Sequence, residues 1–518
     1  MLIKYSFKSF AIFLLCSFIV IMASAQTKTY NITSYGAVAN GETNNTNAIQ
    51  EAITEASANG GGRVLIPAGR FVTGVLNLLS NVELHFNKNA FLLGSTIRAD
   101  YGTGKASALI VANNQHHIAI TGHGVIDGQG KYLLKDIYHR LHAGTLRDTE
   151  WRKVNPWHQM RPTEDNRPKL IQFNNCDNIQ IKNITIKNSL CWVQKYKGCS
   201  NMLIDSIKVE SVTYWNNDGI DIVDCKNVKL TNSFINAADD GICLKSEAPN
   251  GVCENVYVAN CRVRSSASAV KLGTGSRGGF KKITIRNISV YDTYRSAIAI
   301  ETVDGALLED IDIRGITATN TGNAIFIRLG HRNKKGPVSI LRGVYIGNIK
   351  VDVPAGKPDA GYPFEGPVVT TPHNVFPSSI IGIPGSRIED VTLENITINY
   401  EGGAEKERAY CGIDALEKIP EKISAYPEFS MCGELPAWGF YIRHADEIKI
   451  KNMVLTCKGT DYRPAFIADD VNGLSLNNVN IPQVKAQPVM VLSKVSGLKL
   501  DDIKIPGNKK QNIIRLTR

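Results

Sequence analysis

The chain has 518 residues, 43% of them hydrophobic and 21% charged, with a formal net charge of +11 and 11 cysteines. So much apolar residue at so moderate a charge excludes a disordered chain and is enough for a large core. The excess of base calls for an acidic partner, but no basic run or aromatic-basic motif is present, which argues against nucleic acid.

Lys4 and Lys8 precede an apolar run from Ala11 to Met22, and Ala23-Ser24-Ala25 follows it. Basic residues, a short apolar run and a small-x-small end predict a cleaved secretory signal, too short to span a membrane. No later segment is long and apolar enough for a span. Residues 1–25 are therefore expected to be removed, leaving a single secreted or periplasmic domain over residues 26–518. Cleavage near Ala25 takes away two lysines and no acid, lowering the net charge from +11 to +9. An exported basic protein is expected to meet an acidic polysaccharide rather than nucleic acid.

The pattern Cys-x-Asn-hydrophobic begins at Cys176, Cys199, Cys225 and Cys253, and apolar residues take the cysteine slot at Phe280 and Leu308. The intervals are 23, 26, 28, 27 and 28 residues, and the pattern returns at Ile388, Ala445, Val471 and Val495. Self-similarity at such a period marks a solenoid. Each unit carries short alternating stretches such as IQIKNITI, VKLTNSFI and ITIRNISV, which are strand-like. Three short strands per unit with tight turns predict an all-β fold, a right-handed single-stranded parallel β-helix. The four periodic cysteines are then an internal ladder of buried thiols. The cysteines show no metal-type spacing, so neither metal nor cofactor is expected. Cys411 and Cys432, in an irregular stretch, are the better candidates for a disulfide.

A second motif recurs in the same units, at Asp218-Gly-Ile, Asp240-Gly-Ile, Ser268-Ala-Val, Ser296-Ala-Ile and Asn323-Ala-Ile, with intervals of 22, 28, 28 and 27 residues. One coil apart each time, Asp218 and Asp240 fall in one column, with Asp239 beside them. Like charges on adjacent strands repel and raise a pKa. Such a cluster suits paired-carboxylate chemistry, in which one acid holds its proton while another stays ionised. A calcium site is the alternative, since three carboxylates suit a hard cation.

With these motifs the chain resembles glycoside hydrolase family 28, the polygalacturonases and rhamnogalacturonases, on a pectin lyase-like fold. The family's Asn-Thr-Asp-Gly stands here as Asn216-Asn217-Asp218-Gly219, and its aspartate pair as Asp239-Asp240. The segment from Tyr30 to Gly69 looks like the capping start of these enzymes, and ITGHGVIDGQG is similar to another of their stretches. The resemblance implies an inverting hydrolysis of acidic plant cell-wall polysaccharide or oligosaccharide, with Asp239 as general acid and Asp218 and Asp240 activating water. Inversion needs acid and base about 6.5–9.5 Å apart, a gap that one coil plus side-chain reach can supply.

Two departures stand out. The family's Gly-His-Gly reads Ala267-Ser268-Ala269 here, and its Arg-Ile-Lys, which holds the substrate carboxylate, reads Ala299-Ile300-Glu301. The family's rhamnogalacturonases also lack the histidine, so a rhamnogalacturonan-type substrate stays open. By strand alternation Asp221, Cys243, Lys271, Ala299 and Phe326 share one outward column, and Val223, Lys245, Gly273, Glu301 and Arg328 another. Lys245 and Lys271 are expected to grip an acidic sugar, with Glu301 answering a hydroxyl or a cation. Arg328, Asn216 and Ser268 join the substrate-binding set from the same columns and motifs. The alternative is a set of cross-coil salt bridges lining a neutral-sugar site.

Three insertions interrupt the repeat, at about Tyr132 to Asn166, Gly330 to Ser386 and Glu401 to Gly439. Loops of this length are usually functional. The first holds Trp151, Trp157, His158 and Arg161, and the second His331, Arg332 and His373 as subsite candidates. Loops gathered on one face favour exo action in a monomer. Two other readings remain: a polysaccharide lyase with Lys271 as base, and a non-catalytic carbohydrate-binding solenoid.

Overall fold

In each coil, alternating residues send every second side chain inward, where an apolar neighbour lies directly above and below. Ile179, Met202, Val228, Val256, Ile283 and Ile311 form one such stack, each paired in parallel register with the next. The computed structural model describes residues 28–153, 160–358, 375–403, 407, 413–482 and 488–516. Among these residues the strands join one sheet of 32, and every strand pairing is parallel. The chain is a parallel β-helix, as the repeat predicts. The signal segment, Trp157, His158, His373 and Cys411 lie outside the described residues. No described helix is long and apolar enough to cross a membrane.

The upstream end is closed by the helix Thr46–Ala58, which buries Ile49, Ala52, Ile53 and Ala56 at helical spacing. The cysteine ladder is made of buried thiols: Cys176, Cys199, Cys225 and Cys253 are all free. From Cys253 the column runs in register through Phe280, Leu308, Leu341, Ile388, Ala445, Val471 and Val495.

Leu341 corrects the expectation of a single insertion from Gly330 to Ser386, because Ile340–Val353 is a full strand of the helix. Two residues past the column the backbone turns left-handed in every coil. Asparagine does this at Asn178, Asn201, Asn227 and Asn255, with φ between 53° and 55°. Gly343 does it at φ 63°. Asparagine tolerates this region and glycine has no Cβ to clash, so either residue turns the corner. A motif written around asparagine therefore passes over the glycine coil. Gly343→Val is expected to lower stability by about 1–2 kcal/mol and Gly343→Asn by much less, since only the β-branched residue is strained at positive φ; thermal melting of the two variants checks this.

Candidate active site

The expected column is real. Ile220 pairs with Ile242, Ile242 with Val270, and Val270 with Ile298, so Asp218, Asp240, Ser268 and Ser296 stack one coil apart. The glycine after each aspartate is required by space. A Cβ on Gly219 would lie 2.5 Å from Ile235 Cγ2 and 2.6 Å from the Gly241 carbonyl; on Gly241 it would lie 2.4 Å from Val263 Cγ1. The chain turns tightly there into the strands Ile220–Val223 and Ile242–Ser246, and the turn holds the carboxylates at the strand entrance.

Asp218 and Asp240 are buried, with carboxylate oxygens within 4.8 Å of one another; Asp239 is half-buried and accepts the Asp240 backbone N–H at 2.9 Å. Lys245 donates to Asp218 at 2.9 Å and to Asp221, and sits 3.8 Å from the centre of the Trp192 ring. Lys271 lies 3.0 Å from Asp240 and 3.6 Å from Glu301, whose carboxylate also accepts from Thr274 at 3.0 Å. Arg295 pairs with Glu428 at 2.9 Å.

These surroundings separate the three acids. Burial, then the charges of Asp218 and Asp240, push the Asp239 carboxyl up to about 7. Burial also works against ionisation of Asp240, but Lys271, Lys245 and Arg295 together hold it below the usual carboxylate range. Burial raises Asp218 although Lys245 opposes it. One acid thus keeps its proton near neutrality beside another that is ionised, and the arrangement can both donate and accept a proton. Cys243 brings a third potential metal ligand near Asp218 and Asp240. However, the two ammonium groups already stand where a cation would, and burial holds the Cys243 thiol well above its usual range.

The other expected site residues divide. Lys245, Lys271 and Glu301 join the aspartates, but as members of ion pairs. The proposed shift of the carboxylate clamp onto Lys245 and Lys271 therefore needs correcting: each ammonium is held by two carboxylates, leaving little net positive charge for an incoming acid. Ser268 contributes its backbone N–H to Asp240 at 3.2 Å, with its side chain buried. The Asn216 side chain accepts from Arg161 and, at 2.8 Å, from Arg167. Arg328 is buried and donates to the carbonyls of Gly382 at 3.1 Å and Glu421 at 2.5 Å, so it anchors a loop and does not face the cluster. His331 lies outside the cluster, its ring 3.3 Å from the Gly336 carbonyl.

Two insertions flank the aspartates. From the first, Arg161 sits over the Trp215 ring at 5.6 Å and within electrostatic reach of Asp239. Trp151 is a buried anchor, edge-on to His142 at 5.0 Å and to Tyr138 at 6.4 Å, and so offers no open face to a sugar. From the third, Tyr426 brings its hydroxyl within 3.3 Å of Lys271, Glu428 meets Arg295, and Phe429 packs edge-on against Phe376 at 4.9 Å.

The sequence reading missed Arg295, Tyr426 and Glu428. Arg295 could have been found: it precedes Ser296 as Asp239 precedes Asp240, and its N–H bonds to the carbonyl of Ala267, the residue between them in that second column. Tyr426 and Glu428 lie on irregular backbone and carry no such signal.

The family model described as Glycosyl hydrolases family 28 matches residues 57–411. A probable polygalacturonase of Vitis vinifera is 30% identical over 453 residues, 80% of this chain and 82% of its own length. An exo-poly-alpha-D-galacturonosidase of Dickeya chrysanthemi is 24% identical over 415 residues, 71% of this chain and 66% of its own. Among solved structures, an exopolygalacturonase of Thermotoga maritima aligns with a TM-score of 0.60 at 20% identity, over 83% of this chain and 91% of that one, a likeness of fold.

Proposed function

The chain belongs to glycosyl hydrolases family 28 and is a polygalacturonase-family enzyme that hydrolyses O-glycosyl bonds of pectin, and on that footing we propose that it removes galacturonate from one end of a pectic chain by single displacement. In this reading Asp239 protonates the glycosidic oxygen, and Asp240, with Asp218, holds and deprotonates the water that attacks the anomeric carbon from the opposite side.

The observation that carries the reading is the separation of proton affinities on two stacked coils, with Asp239 pushed up to about 7 and Asp240 held low. Exo action is supported by the two insertions that stand on either side of the aspartates, Arg161 on one and Tyr426 on the other. A lyase would need Lys271 neutral to abstract a proton. Despite burial, Asp240 and Glu301 raise its pKa well above the usual lysine value, which disfavours that role.

The test is to incubate the protein with oligogalacturonides and, separately, with rhamnogalacturonan fragments, following products by mass and anomeric NMR. Release of saturated galacturonate with inverted configuration is expected. Unsaturated products, or retained configuration, would sink the proposal.

A further inference from the structure

The cations nearest the aspartates are engaged: Lys245 by Asp218 and Asp221, Lys271 by Asp240 and Glu301, Arg295 by Glu428. A long acidic substrate therefore needs cations elsewhere on this face. They line a cavity of about 600 Å³ at the downstream ends of the site strands, bordered by Lys197, Glu247, Gly275, Arg277, Asp304 and Arg332. The cavity adjoins the aspartate site. A Cβ on Gly275 would lie 3.7 Å from both Lys245 Cβ and Glu247 Cγ, so this glycine forms the floor between the two.

Both carboxylates in the lining are already neutralised. Glu247 accepts from Lys197 at 2.8 Å and from Lys195 at 2.9 Å; although burial opposes ionisation, these lysines hold it down to about 2. Asp304 accepts two bonds from Arg332, at 2.9 Å and 2.6 Å. Arg277 is the cation left over. Its side chain is exposed and makes no ion pair among the described residues, while its backbone N–H is fixed to the Ser246 carbonyl at 2.8 Å. Lys334 and Lys335 follow Arg332 on the same loop and are exposed.

We propose that this cavity binds a second acid group of the substrate, the carboxylate of a uronate residue away from the bond being cut, with Arg277 as its chief ligand. The inference rests on the reading of the enzyme as acting on an acidic pectic chain. A guanidinium offers paired N–H groups in the fork that a carboxylate matches, and two neutralised acids behind it leave that charge unopposed.

The test uses Asp239→Asn, which keeps the cavity, titrated calorimetrically with tetragalacturonate and with its methyl ester, then repeated with Arg277→Gln added. The expected result is about tenfold weaker binding of the acid in the double variant, with the ester bound equally by both. Arg277→Lys in the same background is expected to recover part of the loss. Equal affinity for the acid in both variants, or binding of the acid by neither, overturns the proposal. Product analysis on the wild type is separate: failure to cleave galacturonides removes the proposed activity but leaves any binding that depends on Arg277 intact.

Discussion

Asp239→Asn is expected to lower kcat on a galacturonide by about 10²–10⁴-fold while the far-ultraviolet circular dichroism and melting transition stay in place. Asparagine keeps the shape of the side chain and can still accept the Asp240 N–H, seen at 2.9 Å in the native chain. It has no acidic proton to give to the leaving oxygen. The loss should shrink for an aryl galacturonide whose leaving group departs without protonation; an equal loss on both substrates would assign Asp239 another role. The same carboxyl sets the alkaline limb of the wild type. A general acid works only when protonated, so with Asp239 pushed up to about 7 the rate should fall as pH rises through that region. A rate that stays flat from pH 6 to 9 would contradict this.

Lys271→Met is expected to cost about 3–5 kcal/mol of stability, the range for leaving buried charges unpaired, and most of the activity. Lys271 is 1% exposed and lies against both Asp240 and Glu301. Glu301 is already pushed up to about 7 by burial, with Lys271 opposing that rise. Without the ammonium both carboxyls should take up protons, and a protonated Asp240 can no longer receive one from water. Adding Glu301→Gln should restore part of the stability, because a neutral amide removes one of the stranded acids, but not the activity. Denaturant melts and turnover of the single and double variants separate the two effects. A Lys271→Met enzyme with wild-type stability would refute the account of the pair.

Much of the helix was legible before any coordinates, because a solenoid repeats its local rules in every coil. The Cys-x-Asn pattern marks an inward residue followed by a left-handed corner, and each occurrence carries the same instruction. The reading failed at Leu341, where glycine turns the corner instead of asparagine and a full coil was taken for insertion. The columns were legible for the same reason: a parallel register converts spacing along the chain into position on the surface. That placed Asp218 beneath Asp240, and Lys271 and Glu301 within reach of the site.

By itself, then, the sequence determined the parallel β-helix, the stacking of the aspartates and the residues that line their face, since each follows from a period of about one coil. The tertiary structure alone decided which charges meet. Lys245 leans back to Asp218, Lys271 to Asp240, and Arg295 to a glutamate more than a hundred residues further along the chain. Side chains several bonds long choose among neighbours on three coils, and the nonrepetitive segment carrying Tyr426 and Glu428 reaches the site only by folding across it. Spacing places a backbone atom, but the end of a lysine goes where burial and the opposing charges are most nearly balanced.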